Sequence, residues 1–164
     1  MRLLLTSLVA ASLTGGPLLA AECARPPEHT ALDVTALKTS LMVTALTCKV
    51  DERYNAFVMK YRPDLVQTDK TLNGFFSRSY GRSAPKQRDD YVTQLANSIS
   101  QVGLKQGSLY CDRNMAVFDE VMGLRNSGEL VDFAAGKAGA QPIAVTDCGP
   151  TADRPTRSTS RRRS

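Results

Sequence analysis

The sequence predicts an all-α domain, a small antiparallel bundle of four main helices stapled by two disulfides. Three observations lead there. Apolar residues recur at spacings of three and four over most of the chain, no alternating run is longer than the Pro142–Val145 fragment, and four cysteines are spread along it. The 164 residues amount to one domain once a leader and a tail are set aside.

The leader is residues 1–21. Met1 and Arg2 precede an apolar run from Leu3 to Leu13, then the breaker Gly15-Gly16-Pro17 and the small pair Ala20-Ala21. A positive start, a short greasy helix and a small-residue exit form the secretory pattern, with cleavage expected after Ala21. Cys23 follows Glu22 instead of a small residue, which does not fit a lipid-bearing cysteine. The run is too short to span a bilayer, and no transmembrane segment is expected in the mature chain.

The ordered domain is expected over residues 22–148. The proline pair in Cys23–His29 reads as extended chain, with Thr30 and Asp33 capping the first helix. Val34, Leu37, Leu41, Ala45 and Cys48 share one face of that helix. Asp51 and Glu52 start a second, in which Tyr54, Phe57, Val58 and Tyr61 align. Pro63 interrupts that pattern before Leu65, Leu72, Phe75, Phe76 and Tyr80 resume it. A reversal of direction does not fit into Arg62-Pro63, so the second helix is read as kinked at Pro63.

Gly81 to Lys86 is read as a loop, and Tyr91, Leu95, Ile99 and Val102 as a third helix closed by Gly103 and Gly107. A fourth carries Cys111, Met115, Phe118 and Met122 and ends near Asn126–Gly128. Glu129–Lys137 adds a short helix, and Pro142–Val145 is extended. From Gly149 the composition turns to Pro, Thr, Ser and Arg, which cannot bury enough apolar area to order itself, so residues 149–164 are expected to be a disordered tail.

Helix direction constrains cysteine pairing. In an up-down-up-down bundle Cys48 and Cys111 meet at one end, and Cys23 and Cys148 at the other. Bridging Cys48 to Cys111 removes denatured-state entropy worth about 4 kcal/mol. Two bridges fit an oxidising compartment, periplasmic or secreted.

Charge and composition exclude several functions. The chain carries a formal +5, but residues 22–148 hold 15 basic and 15 acidic side chains, so the excess belongs to the ends. A neutral body without a groove-reading motif does not bind nucleic acid sequence-specifically. The single histidine, His29, lies beside a cysteine and two prolines, which fits an exposed linker better than a catalytic base. One histidine and no C-x-x-C leave no zinc site, and no phosphate loop or dinucleotide fingerprint is present. No cofactor, metal or catalytic residue is therefore expected. The acidic pairs Asp51-Glu52 and Asp89-Asp90 are read as first-turn anions complementing helix dipoles.

Two candidate binding regions remain. Arg53, Tyr54, Tyr61 and Arg62 interleave cations and aromatics around the kink and can line a groove for an anionic or aromatic ligand; the plainer reading puts the aromatics in the core and the cations in solvent. Arg161, Arg162 and Arg163 can hold polyanions weakly, including anionic lipid head groups.

The segments Ala36–Met42, Arg53–Val58 and Gln141–Val145, with the four cysteines, resemble a family of small exported proteins of alphaproteobacteria over about residues 23–148. The resemblance implies no activity. Such sequences sometimes carry the label S-adenosyl-L-homocysteine hydrolase, an enzyme built on a dinucleotide-binding α/β domain that nothing in this chain matches. The expected function is non-enzymatic binding of an unknown protein or envelope component. The alternative is a small-ligand binder or atypical enzyme using the groove near Tyr54, Tyr61 and Arg62. Non-reducing peptide mapping is expected to recover Cys48–Cys111 and Cys23–Cys148 peptides; a Cys23–Cys48 peptide would overturn the topology.

Overall fold

α1 runs from Pro26 to Cys48, and every other helix in the computed structural model is arranged around it. Residues 22–149 are described, except 138 and 140; residues 1–21, expected to be a leader, and the expected tail from residue 150 on, with Arg161, Arg162 and Arg163, lie outside them. The remaining helices are α2 (Asp51–Lys60), α3 (Arg62–Tyr80), α4 (Ala84–Gln106), α5 (Leu109–Gly123) and α6 (Ser127–Lys137), with a 3-10 turn at Gly81–Ser83. Two short strands, β1 (Glu22–Ala24) and β2 (Val145–Asp147), complete the order.

α1 begins earlier than its apolar stripe. Pro26 and Pro27 occupy its first turn, where the missing N–H groups have no intrahelical partner and the fixed φ is already helical. The expected extended Cys23–His29 is thus extended only to Arg25. Arg25 caps the helix instead of Thr30 or Asp33: Glu28 accepts from the Arg25 backbone N–H at 2.7 Å. α1 stops at Lys49, a non-glycine residue in the left-handed region (φ 56°, ψ 48°).

Two core clusters flank α1. On one side Val34, Leu37, Leu41 and Ala45 meet Phe57, Tyr61, Leu65, Phe118, Val121, Leu130 and Ala134. On the other, Ala31, Leu32 and Ala36 meet Ala24, Leu72, Phe75, Phe76, Ala84, Tyr91 and Leu95. α1 therefore buries apolar surface around most of its circumference. By length and a mean hydropathy of 1.2 it is apolar enough to cross a membrane, contrary to the expectation that no segment past the leader is; 61% of that window is packed inside the fold. Its buried hydroxyls are satisfied: Thr35 donates to Ala31 O at 2.7 Å, Thr39 to Thr35 O at 2.8 Å, and Thr44 shares a hydrogen bond with Tyr110 Oη.

α2 and α3 meet at one residue. Tyr61 (φ −104°, ψ 19°) still donates to Phe57 O at 3.0 Å and accepts from Leu65 N at 2.9 Å. The irregular residue is Tyr61, two before Pro63, because the proline has no N–H for Met59 O and its ring pushes that carbonyl away. Pro85 likewise opens α4, so the expected Gly81–Lys86 loop shrinks to the 3-10 turn. Gly103 lies inside α4, its Cα side against the Tyr110 ring. In α5 the buried face is Tyr110, Phe118 and Val121, whereas Met122 is exposed, so the stripe is turned from the one expected.

Both disulfides pair as expected, Cys48 with Cys111 and Cys23 with Cys148. The latter adjoins a parallel β1–β2 pairing that periodicity did not show, with Cys23 opposite Thr146 and Cys148 N–H donating to Ala24 O at 3.0 Å. Parallel strands need a long crossover, and here the whole helical body is that crossover.

Lys49→Gly removes the left-handed penalty at the end of α1 and is expected to raise unfolding free energy by about 0.5–1 kcal/mol. Chemical denaturation of oxidised protein measures it.

Candidate binding grooves

Tyr54 and Phe57 on α2 and Tyr61 at its end line up on one side, their rings tilted, with centroids 6.3 and 5.4 Å apart. Tyr61 is buried, and its hydroxyl donates to Val121 O at 2.8 Å. Lys60 Nζ donates to Met122 O at 2.5 Å and Leu124 O at 2.8 Å, and lies over the Tyr61 ring. Together they cap the C-terminal end of α5, whose carbonyls have no intrahelical partner and carry negative dipole charge. Arg53 reaches Asp119 on α5 at 3.0 Å, and Arg62 is exposed at the start of α3. Of the four expected binding residues, Tyr61 is committed to α5, Arg53 and Arg62 lie on the surface, and Tyr54 alone opens into a cavity.

That cavity, about 310 Å³, lies among α1, α2, α3 and α4. Tyr54, Met42 and Val92 form its apolar wall, and four charged groups face it: Lys38, Asp69, Arg88 and Asp89. Asp69 Oδ2 is 3.7 Å from Lys38 Nζ and Asp69 Oδ1 is 3.6 Å from Arg88 Nη2, while Arg88 Nη1 is 3.7 Å from Asp89. All three separations exceed a hydrogen bond. Arg88 Nε is enclosed and has no acceptor. Burial, reinforced by the Asp69 charge, pushes the Tyr54 phenol up, so it stays protonated and able to donate. Asp89 and Asp90 lie in the second turn of α4, not the first as expected, and Asp90 pairs with Lys86 at 2.5 Å.

Sequence reasoning missed this groove. One signal was available: Lys38 is the only charged residue between Asp33 and Lys49. A lone cation on so apolar a helix needs a polar destination.

A second groove, about 300 Å³, runs between α1, α4 and α5. Leu95, Ile99, Val102 and Tyr110 make it mainly apolar, and Gln106 Oε1 is enclosed there without a donor. It opens toward the α4–α5 turn, where Val102, Leu104 and Leu109 are 47%, 84% and 52% exposed, with Lys105 also exposed between them in sequence.

At the Cys23–Cys148 pole, His29 lies within α1, half-buried rather than in an exposed linker. Its Nε2 is 2.9 Å from Asp147 Oδ1 but off the line that a ring N–H bond needs. Nearby, burial alone would push the Glu28 carboxyl up. Arg78, donating from Nε at 3.2 Å and Nη2 at 2.6 Å, with the Arg25 N–H, outweighs it and lowers the pKa. Arg78 Nη2 also donates to Cys23 O at 2.8 Å, tying α3 to β1. Tyr91 Oη donates to Gln141 Oε1 at 2.9 Å, which holds the final segment against α4. Among the described residues no three His, Cys, Asp or Glu side chains converge as metal ligands.

No protein-family model, curated protein or solved structure matches this chain.

Glu28 titrates lower in the folded than in the unfolded chain, so its contribution is complete above the unfolded pKa and is lost as pH falls through the folded one. Glu28→Gln is expected to cost about 1.5–3 kcal/mol at neutral pH. Denaturation from about pH 7 to about pH 2 should show this cost shrinking with acid; a constant cost would place its origin outside the Arg78 pair.

Proposed function

We propose that this is an exported, non-enzymatic binding protein of the periplasm or extracellular space that docks on an envelope surface bearing anionic lipid. The observation that carries the reading is the α4–α5 turn, where Val102, Leu104 and Leu109 lie exposed within eight residues of chain around Lys105. Exposed apolar side chains beside a cation match the two layers of a lipid interface, acyl boundary and anionic head groups. Inserting a valine or leucine side chain is worth about 1.5–3 kcal/mol when complete, so Val102, Leu104 and Leu109, only partly inserted, give weak, reversible attachment. Arg161, Arg162 and Arg163 would supply a second contribution, about 1 kcal/mol per cation near an anionic surface.

Export rests on residues 1–21 and agrees with two disulfides, which persist in oxidising compartments. In this reading the body is an antiparallel bundle of four main helices, with α2 and α3 counting as one rod bent before Pro63. The pairing of Cys48 with Cys111 near the end of α1 and the start of α5 agrees with that parity.

Cosedimentation of the mature oxidised protein with vesicles tests the proposal. Binding to phosphatidylglycerol-containing vesicles, absent with pure phosphatidylcholine, is expected to fall at least about tenfold in a Leu104→Glu, Leu109→Glu double variant. Truncation at Gly149 should remove the salt-sensitive part only. Undiminished binding by the double variant would overturn the role of the turn.

A further inference from the structure

We propose that the groove among α1, α2, α3 and α4 is a binding site for a small zwitterion of the amino-acid type, its carboxylate held by Lys38 and Arg88 and its ammonium by Asp69 and Asp89. The groove is distinct from the α4–α5 turn. Arg88 and Leu104 both lie on α4, sixteen residues and about 24 Å apart along its axis, so either reading can fail without the other.

The charge cluster in this groove is unfinished. Two cations and two carboxylates converge from three helices, yet the three closest charge pairs stand at 3.6–3.7 Å and none closes a hydrogen bond. Each contact is an ion pair without a hydrogen bond, so the donors of Lys38 and Arg88 are not committed to either carboxylate. The Arg88 guanidinium adds an enclosed Nε–H with no acceptor. The two Nη groups, which stand 3.6 and 3.7 Å from Asp69 and Asp89, present parallel donors on the groove side, an arrangement that a carboxylate accepts in bidentate fashion.

Charge balance then selects the class. Lys38 and Arg88 are offset by Asp69 and Asp89, so the groove is neutral overall. An anion alone would leave the aspartates opposed to it, and a cation alone would oppose the lysine and arginine. A ligand carrying both charges matches each half. The apolar wall of Tyr54, Met42 and Val92 offers a place for a hydrocarbon or aromatic side chain, and the Tyr54 hydroxyl a further donor. Volume limits size: 310 Å³ is the space of about ten waters, enough for a ligand of about ten heavy atoms. Lys38 and Arg88 are about a third exposed, Asp69 40% and Asp89 76%, so the site is open to solvent, most of all on the Asp89 side.

Isothermal titration of the mature oxidised protein tests this with L-leucine and L-phenylalanine as zwitterions, isovalerate and phenylacetate as anions, and isoamylamine and phenethylamine as cations. At least one zwitterion is expected to bind with Kd below about 1 mM, at least about tenfold tighter than its singly charged analogues. Arg88→Lys, which keeps the charge but loses the paired donors, should weaken binding by at least about tenfold. Lys38→Gln should do the same. Circular dichroism confirms that each variant is folded, and either folded variant suffices for the comparison. No zwitterion binding, equal binding of the anion alone, or full affinity in a folded Arg88→Lys or Lys38→Gln protein would each overturn the assignment.

Discussion

The structure depends on one demand: α1 carries apolar residues around most of its circumference and must be covered from several sides at once. An ordinary amphipathic helix needs one neighbour face. α1 needs α2, α5 and α6 on one side and α3, α4 and the β-strands on the other. That requirement explains why α6, short as it is, places Leu130 and Ala134 in the core, and why the final segment brings Ile143 and Val145 against the second cluster. It also explains the threonines. In a helix with so little solvent contact, the hydroxyls of Thr35 and Thr39 turn back onto the carbonyls of the preceding turn, Ala31 O and Thr35 O, and Thr44 finds Tyr110.

Much of this was legible in the sequence. The face of Val34, Leu37, Leu41 and Ala45 is one of the two faces that pack, and both cysteine pairs follow from the placement of helix ends. Other elements were hidden by context. The double proline at 26–27 disfavours helix interiors but suits a first turn, and only tertiary structure says which applies. β1 is three residues long, too short for periodicity, and owes its existence to a partner more than a hundred residues away. Met122 fits the α5 stripe by spacing, yet Tyr110 and Val121 set which side faces inward.

The candidate site was legible only at its edge. Tyr54 and Tyr61 stood out as aromatics at helical spacing, but Tyr61 is occupied in capping α5, and the cation beside it that reaches those carbonyls is Lys60. The groove's charges come from α1, α3 and α4; Asp89 was read only as half of an acidic pair, and Lys38, Asp69 and Arg88 belong to no sequence motif. Their meeting is a product of helix packing around α1, which a pattern read along one segment does not encode. The same packing leaves Lys38, which would burden a helix buried on all sides, beside Asp69.

The pairing of β1 with β2 joins the first described strand to the last. A polypeptide synthesised from its N-terminus therefore makes α1 before any of the helices that cover it. Cys148 follows Cys23 by 125 positions, so the ring is sealed only once every covering helix has been made.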